Sequence, residues 1–457
     1  MSAVVDQPAA PSGALPIAAG PAGRVLAFGP AGAVDVDAFL AHVHGVAAWL
    51  PEGRYVLNLC EDRYRFLVLL CAAITRGQAT LLPPSRAPGV VLEMLERHPG
   101  SHCIGDDALP GGIALERVPP RYACLPWPLP RAAGGMPMID AGQLVAIGFT
   151  SGSSGPPKPQ PKRWGAFVAG TALNAACLAR ACGGAAPSLV ATVPPQHMYG
   201  METSVLLPLL GGGAILAGRP FFPADIAAAL AAAPAPRVLV TTPVHLRTLL
   251  ASGVALPPVA AIVSATAPLP AELAQAAEAA CGARVLEFFG STETCVIAHR
   301  ETARSDTWIP HSGVQVQPQP DGSLVQAPWL EAPVLLHDVL ERDADGGFRL
   351  AGRCADHLEI AGKRASLGEL TRRLLAVPGV LDGVVFQSDA EGEGGVRRIV
   401  ALAVAPGLDE AGVLAALREA VDPVFLPRPL RLVDALPRNE TGKLPRAALL
   451  DALRAER

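Results

Sequence analysis

The sequence has little of what several large classes of protein require. Only 17% of the 457 residues are charged and the formal net charge is -4, so no basic surface for nucleic acid is expected. The apolar stretch at residues 66–75 is too short to span a bilayer and predicts a buried helix instead. The first residues lack the basic start and the apolar run of a signal peptide. These absences favour a globular, cytoplasmic protein that neither binds nucleic acid nor spans a membrane.

Cysteine and histidine show no metal-binding pattern. None of the nine cysteines belongs to a CxxC pair, and no histidine cluster stands beside them at zinc spacing. An odd number of scattered cysteines is typical of reduced thiols. We therefore expect neither a disulfide framework nor a metal ion held by cysteine.

The sequence does contain a regular alternation of β-like and helical segments between about residues 24 and 330. Short apolar runs predict strands at residues 55–59, 144–149, 238–242 and 260–264. Longer runs rich in Ala and Leu predict helices at residues 164–180, 223–233 and 271–280. Such alternation favours an α/β architecture with largely parallel sheets.

The composition changes after Trp329 and indicates a second domain. Residues 335–360 are richer in charge and predict a β-meander with a turn at 343–347. About 100 further residues of mixed α and β pattern are enough for a small α+β domain. We predict a large domain of α/β layers plus the meander at residues 1–352, a hinge at 353–356 and a small mobile domain at 357–457, with residues 1–23 loosely ordered.

The segment TSGSSGPPK, at residues 150–158, looks suited to binding phosphate. Its glycines permit close approach of the backbone, and its hydroxyl groups and terminal lysine add donors and positive charge. Two prolines stand where a Walker A loop needs a helix to begin, which excludes that motif. A flexible surface linker is the alternative. The candidate phosphate-binding residues are Thr150, Ser151, Gly152, Ser153, Ser154, Gly155 and Lys158, whereas Lys162 and Arg163 are expected to be solvated.

A second candidate segment is FFGSTE, at residues 288–293. It follows a predicted short strand and places hydroxyls and a carboxylate at a strand end, where ligand sites of α/β proteins gather. The carboxylate of Glu293 is suited to magnesium on nucleotide phosphates. Alternatively, the Ser-Thr-Glu triplet caps a helix.

Together these segments resemble the adenylate-forming superfamily of acyl-CoA synthetases, aryl-acid ligases and peptide-synthetase adenylation domains. The resemblance runs in order from about residue 55 to residue 446 and includes SATAPL at 264–269 and PRNETGKLPR at 437–446. It implies a phosphate loop at 150–158 and an adenine-binding loop that contains Ala267. The other roles that it implies are Phe289 in the aromatic-Gly-x-Thr-Glu segment, Thr292 on the AMP phosphate, Glu293 on magnesium, Asp338 on ribose, Arg353 at the hinge and Lys443 as the catalytic lysine.

The resemblance also implies a reaction in two steps. A carboxylic acid is joined to AMP with release of pyrophosphate, and the acyl group is then passed to a thiol, of CoA or of a carrier protein's phosphopantetheine. Rotation about Asp356 would withdraw Lys443 and bring in the loop of Gly362, Arg364, Gly368 and Glu369. Glu359 stands where many members have lysine, and Lys363 follows four residues on, so the sequence departs from the family's pattern at residues that serve the second step. An exposed lysine near the chain end is the alternative for Lys443.

The acid itself is only partly specified. His197 lies in PPQHMYG, which resembles the segment where acid ligases carry a histidine at the pocket mouth, although a structural histidine in a turn is the alternative. Residues 193–204 contain no aspartate to pair with an ammonium group, which disfavours an amino acid. An apolar lining suits a fatty or aromatic acid, with candidate wall residues Met198, Tyr199, Ala265, Ala267, Phe289 and Gly290. An enzyme that stops at the adenylate, or a binding protein without chemistry, remains the alternative function.

Overall fold

The computed structural model describes residues 12–83, 86, 88–106, 121–150, 158–319, 322–353, 357–360, 363–391, 397–439 and 442–455. It divides into two compact units, the first made of Met1–Val314 and Gln326–Ala332, the second of Gln315–Val325 and Pro333–Arg457. The β-meander thus groups with the second unit, whereas the sequence had placed it before a boundary at residue 352. Residues 354–356 of the predicted hinge lie outside the described residues, so the hinge stays a prediction.

The helices are α1 (Val36–Trp49), α2 (Arg63–Thr75), α3 (Pro88–Arg97), α4 (Trp164–Ala181), α5 (Met198–Met201), α6 (Leu207–Leu210), α7 (Pro223–Ala232), α8 (Pro243–Ala251), α9 (Ala271–Cys281), α10 (Leu367–Leu375), α11 (Glu410–Ala420) and α12 (Arg446–Arg454). A π-helical turn, Glu202–Leu206, joins α5 to α6, and a 3₁₀ turn spans Pro423–Phe425.

The strands of the first unit are β1 (Ala14–Pro16), β2 (Val25–Gly29), β3 (Gly32–Asp35), β4 (Tyr55–Asn58), β5 (Ala79–Leu82), β6 (Ser101–Gly105), β7 (Tyr122–Cys124), β8 (Met138–Asp140), β9 (Leu144–Thr150), β10 (Lys158–Arg163), β11 (Ser188–Ala191), β12 (Ala214–Leu216), β13 (Arg237–Thr241), β14 (Ala261–Ser264), β15 (Arg284–Ser291), β16 (Cys295–Arg300) and β17 (Ile309–Pro310). Those that follow are β18 (Gln315–Gln319), β19 (Gly322–Gln326), β20 (Val334–Leu336), β21 (Asp338–Arg342), β22 (Phe348–Arg353), β23 (His357–Ile360), β24 (Lys363–Ser366), β25 (Asp382–Glu391), β26 (Arg397–Val404) and β27 (Leu430–Leu432).

The first unit contains two sheets that are parallel in their centres. One has the order β10-β9-β5-β4-β6-β7, and only its β9–β10 pairing is antiparallel. The larger has the order β17-β16-β15-β14-β13-β11-β12-β2-β3, parallel from β15 to β2 and antiparallel at both ends. Helices α2 and α3 connect β4 to β5 and β5 to β6, and α7, α8 and α9 connect the parallel strands from β12 to β15, as is usual where consecutive strands run the same way. The predicted α/β architecture is confirmed.

The core of the first unit is built around α2. This helix is apolar around almost its whole circumference and is buried along its length, as such a helix must be. It begins after Asp62, whose side chain accepts a hydrogen bond from the backbone N–H of Arg65. One apolar cluster contains α2 together with strand residues of both sheets, such as Val56 and Val263. No helix within the described ranges is both long and apolar enough to cross a membrane.

The amino-terminal segment differs from the expectation of loose order at residues 1–23. β1 pairs with β8 in antiparallel register, with Leu15 opposite Ile139. Ile17, directly after β1, is fully buried in the core. The apolar segment therefore gains both a strand partner and a place in the core, and the prediction was wrong for residues 12–23. Residues 1–11 lie outside the described residues.

The second unit has the mixed pattern that the sequence predicted. The predicted meander at 335–360 contains the hairpin β21–β22, whose turn at 343–347 is closed by the N–H of Asp343 donating to the carbonyl of Gly347, and a three-stranded sheet, β18–β19–β20, begins before it. Gly346 has a φ of 87°, which favours glycine at this position. Beyond the meander, α10 and α11 bury Leu374 and Val413 against the sheet of β25, β26 and β27.

Candidate active site

The candidate segments of the first unit leave the large sheet at one edge. β11, β13, β14 and β15 are parallel neighbours, so their carboxyl ends lie side by side. Their register pairs Thr241 with Ser264 and Ser264 with Glu287. Residues 192–200, 265–269 and 288–293 therefore all begin at the edge where α/β proteins bind ligands.

The predicted phosphate loop connects the two strands of a β-hairpin. β9 and β10 are antiparallel, with Thr150 and Lys158 as Cα partners at the point where the loop begins and ends. A strand, not a helix, follows the loop, as expected from its two prolines. Residues 151–157 lie outside the described residues, so the roles of Ser151, Gly152, Ser153, Ser154 and Gly155 stay predictions. Lys158 is exposed.

The FFGSTE segment forms a bulged β-hairpin. β15 extends to Ser291 and pairs with β16, and the register shifts between Phe289 and Gly290. A Cβ at Gly290 would lie 2.1 Å from the carbonyl oxygen of Cys295, so the bulge needs glycine. The backbone N–H groups of Ser291 and Thr294 donate to each other's hydroxyl oxygens and close the turn. The alternative, a cap at the start of a helix, was wrong.

Thr292 packs against the strand that leads into the phosphate loop. A Cβ at Gly148 in β9 would lie 2.7 Å from Cγ2 of Thr292 and 3.3 Å from Cε of Met198. No side chain larger than hydrogen fits there while both neighbours keep their positions. The strand of the phosphate loop, the threonine of FFGSTE and the first residue of α5 thus lie together.

Lys162 is buried beneath this turn rather than solvated. Its side chain is only 5% exposed, and Nζ donates to the carbonyl oxygen of Glu293 at 2.8 Å. Because Lys162 lies in β10, this bond joins the phosphate-loop hairpin to the turn that carries Thr292 and Glu293. The expectation of solvent exposure was wrong, since pairing of β10 with β9 turns Lys162 inward. The next residue, Arg163, lies at the surface and forms an ion pair with Glu331.

A buried carboxyl group, Glu202, lies close to Lys162. Its Oε1 accepts a hydrogen bond from the backbone N–H of Val296 in β16, at 2.9 Å. Burial raises the pKa of Glu202 from 4.5 to about 7, against the opposing effects of the Val296 hydrogen bond and the Lys162 charge. Glu202 thus links the π-helical turn after α5 to β16, the strand that follows the turn of Thr292 and Glu293, and its charge changes near neutral pH.

The loop predicted to lie beside adenine is held by a second buried carboxylate. Glu287 accepts from the backbone N–H of Leu269 at 3.1 Å and forms an ion pair with Arg300. Within the loop, Thr266 has a φ of 80°, a left-handed conformation that is costly for a β-branched residue and recurs at functional sites. Ala267 is half-buried beside it.

The segment of His197 is positioned by Tyr199. The Tyr199 hydroxyl lies 3.0 Å from the carbonyl oxygen of Thr241 and 2.9 Å from that of Val263, so it joins α5 to the ends of β13 and β14. His197 directly precedes α5 and is half-buried, so both its gate role and its structural alternative stay open. Phe289, another candidate wall residue, has its ring 5.3 Å from that of Trp308.

Three predicted site residues belong to the second unit. Asp338 and Arg353 are Cα partners at one end of the β21–β22 hairpin. Lys443 is exposed, in the lysine loop that we define as residues 437–446. Arg438 fixes this loop by a bidentate ion pair with Asp382 in β25, at 2.8 and 3.1 Å. Gly362 lies outside the described residues, and its role stays a prediction.

The sequence analysis missed several residues that shape the site. Arg63, at the start of α2, is fully buried and donates to the carbonyl oxygens of Ala191 and Val193. Burial lowers its pKa to about 9. A charged residue next to buried apolar neighbours is the signal that could have marked Arg63, and Glu287, between Leu286 and Phe288, shows the same signal.

These features define an enzyme of the adenylate-forming fold. ATP-bound MatB from Rhodopseudomonas palustris superimposes with a TM-score of 0.79, covering 94% of this chain and 96% of its own, at 21% identity. The o-succinylbenzoate CoA synthetase of Bacillus subtilis, solved with its acyl-adenylate, has a TM-score of 0.78 at 17% identity, covering 95% of this chain and 96% of its own. At such identities the likeness shows the fold.

Sequence comparison places the chain in a family. A model of the family described as AMP-binding enzyme matches residues 112–321. A 4-coumarate–CoA ligase from Rhodobacter capsulatus is 32% identical over 309 residues, which cover 65% of this chain and 74% of that protein. A sulfoacetate–CoA ligase from Cupriavidus necator is 28% identical over 354 residues, covering 69% of this chain and 68% of its own. The chain belongs to the family of AMP-binding enzymes, as the sequence motifs predicted.

Proposed function

We propose that this enzyme uses ATP to activate a fatty or aromatic carboxylic acid as an acyl-adenylate and then transfers the acyl group to the thiol of CoA. The observation that carries the proposal is the packing of Thr292 against Gly148 with Met198 beside them. A residue expected on the AMP phosphate, the strand entering the phosphate loop and a candidate wall of the acid pocket thus share one place. Acid, α-phosphate and pyrophosphate must meet at one place for this reaction, since positioning supplies much of its catalysis.

The described residues fit a nucleotide with magnesium. Thr292 offers a hydroxyl and Glu293 a half-buried carboxylate, the hard oxygen donors that magnesium and phosphate groups take. At the end of β14 in the same sheet, the Ser264 hydroxyl is buried and has no hydrogen-bond partner among the described residues. We propose that Glu293 holds the magnesium ion, which neutralises phosphate oxygens when bound. Thr292 would donate to the α-phosphate, and Lys158 with the loop at 151–157 would bind the leaving pyrophosphate.

We propose Lys443 as the catalytic lysine of adenylation. Lys443 is exposed on the lysine loop, and the ion pair between Arg438 and Asp382 holds this loop in place. The flexible side chain of Lys443 can therefore move its positive charge while its backbone stays fixed. The small domain would deliver Lys443 to the α-phosphate and withdraw it, by rotation about the predicted hinge, before the thiol enters. The contribution of Asp338 to ribose binding belongs to the same proposal.

The two half-reactions test this role. Lys443→Ala should reduce acid-dependent ATP–pyrophosphate exchange by about 100-fold or more, since it removes a charge that acts in the transition state. Transfer from preformed acyl-AMP to CoA should stay within a few-fold of the unchanged enzyme. Arg454→Ala, in the exposed end of α12, is the control and should leave both rates unchanged. Equal loss in both half-reactions for Lys443→Ala would refute the assignment.

The acid is the next property to test. The half-buried ring of Phe289 against Trp308 and the buried Met198 are apolar candidate walls, and no aspartate occurs in residues 193–204. We therefore expect aromatic or fatty acids to drive ATP–pyrophosphate exchange more strongly than amino acids or short dicarboxylates. A panel of these acids at equal concentration measures the preference. An amino acid as the best substrate would contradict the proposed pocket.

The acceptor and the alternatives are separated by one further experiment. Acyl-adenylate is formed first, and CoA or a phosphopantetheine-loaded carrier protein is then added, with the thioester measured by mass. We expect acyl-CoA to be the thioester that forms. In the cell, the reaction would take place in the cytoplasm, where ATP and CoA are supplied. A thioester on the carrier protein alone would make the protein a carrier-protein ligase. Exchange without any thioester would indicate an enzyme that stops at the adenylate, and no exchange with any acid would indicate a binding protein.

A further inference from the structure

Three potential metal ligands converge behind the catalytic hairpin, which is the β15–β16 pair whose turn carries Thr292 and Glu293. The three ligands are far apart in the sequence. Cys177 lies in α4, His299 in β16 and His311 directly after β17. The Cys177 Sγ is 3.4 Å from Nδ1 of His299 and 3.8 Å from Nδ1 of His311. The three ligand atoms all lie within 4.8 Å of one another. One thiol and two imidazole nitrogens thus face a common point.

The spacing of these atoms matches that around a tetrahedral zinc ion. With zinc–sulfur bonds of about 2.3 Å and zinc–nitrogen bonds of about 2.0–2.1 Å, tetrahedral angles place sulfur and nitrogen about 3.5 Å apart. The two observed separations, 3.4 and 3.8 Å, bracket that value. The two sulfur–nitrogen separations therefore fit a zinc ion to within a few tenths of an ångström, and the nitrogen–nitrogen separation, which is within 4.8 Å, would be closed by movement of the imidazole side chains.

The hydrogen bonding of His311 leaves the required nitrogen available. Its Nε2 lies 3.0 Å from Oδ1 of Asn174, one turn earlier in α4 than Cys177. An amide oxygen only accepts, so Nε2 carries the hydrogen and Nδ1, the atom that faces Cys177, has the free lone pair. Metal-bound histidines commonly have such a partner on the other ring nitrogen, which fixes both tautomer and orientation.

Burial keeps the imidazoles in the form that binds metal. It lowers the pKa of His311 to about 4, with a smaller effect from His299. Burial likewise lowers the pKa of His299, with a further effect of Arg180. Both rings are therefore neutral at pH 7, while burial raises the pKa of the Cys177 thiol to about 11. A metal ion must displace the thiol proton, and a soft, strongly thiolate-binding ion is required to do so.

We propose that Cys177, His299 and His311 form a zinc site that is separate from the magnesium-nucleotide site. Two imidazoles and one thiolate are a ligand set suited to zinc, whereas magnesium prefers oxygen. Binding of Zn²⁺ forms one zinc–sulfur bond and two zinc–nitrogen bonds and releases one proton, from the thiol, to solvent. Cys177 and His299 are only half-buried, so water can supply the fourth ligand.

The place of the site indicates a structural role. Its ligands join α4 to β16, the strand that pairs with β15 behind Phe289 and Thr292. The His311 ring also packs edge-on against Phe288 in β15, with centroids 6.5 Å apart. A zinc ion here would fix the β15–β16 hairpin to α4 without contacting the reacting atoms. It should therefore raise thermal stability and take no part in the chemistry of adenylation.

The protein without an affinity tag tests the proposal directly. After exposure to zinc and extensive dialysis, elemental analysis should find about one zinc per chain. After removal of zinc and addition of Co²⁺, the absorption spectrum should show a thiolate-to-cobalt charge-transfer band and the visible bands of tetrahedral cobalt, both lost when zinc is added back. These measurements need no variant, so they remain decisive if a variant fails to fold.

Variants then assign the ligands. Cys177→Ser and His299→Gln should lose bound zinc and the cobalt spectrum, while Cys182→Ser, at the residue directly after α4, keeps both. Asn174→Ala should weaken zinc binding by about 10–100-fold, as is usual when the partner of a ligating histidine is removed. Zinc should also raise the unfolding temperature of the unchanged protein and not that of Cys177→Ser.

Three results would overturn the site. Less than a tenth of a zinc ion per chain after dialysis would mean that the three residues form a hydrogen-bonded cluster only. A cobalt spectrum without the thiolate band would exclude Cys177. Equal zinc content in Cys177→Ser and Cys182→Ser would place the metal elsewhere in the chain. None of these outcomes depends on the activity, so the proposed ligase function and the zinc site can fail independently.

Discussion

Glu202 is the buried group whose ionisation can be tested most sharply. Burial raises its pKa from 4.5 to about 7, so the folded protein holds the proton more tightly than the unfolded chain does. The stabilisation from this proton is fully present below pH 4.5 and is lost as the pH rises through about 7. A difference of this size corresponds to about 3 kcal/mol of unfolding free energy.

Glutamine at this position removes the ionisation but keeps the shape. An amide oxygen can still accept the hydrogen bond from the N–H of Val296, so the link between the π-helical turn after α5 and β16 survives. We expect the unfolding free energy of Glu202→Gln, relative to the unchanged protein, to grow by about 3 kcal/mol between pH 4.5 and pH 8. Other titrating groups cancel in this difference because they are common to both proteins.

Denaturant unfolding followed by tryptophan fluorescence is the appropriate assay. The tryptophans, at positions 49, 127, 164, 308 and 329, all lie in the first compact unit, so the signal reports on the unit that contains Glu202. Glu272→Gln, on the exposed side of α9, is the matched control and should give a flat difference. A flat difference for Glu202→Gln as well would refute the raised pKa and the reasoning from burial.

Two further substitutions test how the catalytic turn is held. Gly148→Ala places a Cβ 2.7 Å from the methyl group of Thr292 and should displace this threonine. The displacement should lower kcat/KM for ATP–pyrophosphate exchange by about 10–100-fold. Unchanged kinetics would show that Thr292 does not contact the reacting phosphate. Lys162→Met removes the charged donor to the carbonyl of Glu293. This change should lower the unfolding free energy by about 1.5–3 kcal/mol. It should also raise the magnesium concentration needed for half-maximal ATP–pyrophosphate exchange. Lys162→Arg should recover part of the loss, and wild-type behaviour of Lys162→Met in both assays would contradict the contact.

The elements that the sequence predicted well are those with a strong local pattern. The helix predicted at residues 164–180 is Trp164–Ala181, and the strand predicted at 144–149 is Leu144–Thr150. Apolar runs of this kind are buried on both faces of a parallel sheet or between sheets, so their period and length are recorded in consecutive residues. The order of the motifs also predicted the family, because each motif is a continuous segment.

Features that depend on distant parts of the chain could not be predicted in this way. Lys162 stands in the polar segment KPQPKR, which suggests solvent, and only the pairing of β10 with β9 turns it inward. Cys177, His299 and His311 are brought together by a helix and two strands, so no short spacing marks them. The alternative of a helix cap at Ser291 was wrong for a related reason, since the bulge at the preceding glycine is set by the partner strand.

Tyr199 has a consequence for any attempt to change the acid that the enzyme accepts. Its position in PPQHMYG suggests a pocket wall, yet its hydroxyl lies within hydrogen-bond distance of carbonyl oxygens at the ends of β13 and β14 and is buried. Replacing it to enlarge a pocket would leave two strand ends without their shared partner. Libraries for new substrates should therefore keep Tyr199 and vary Met198 and Phe289, and in natural divergence the tyrosine should change more slowly than its neighbours.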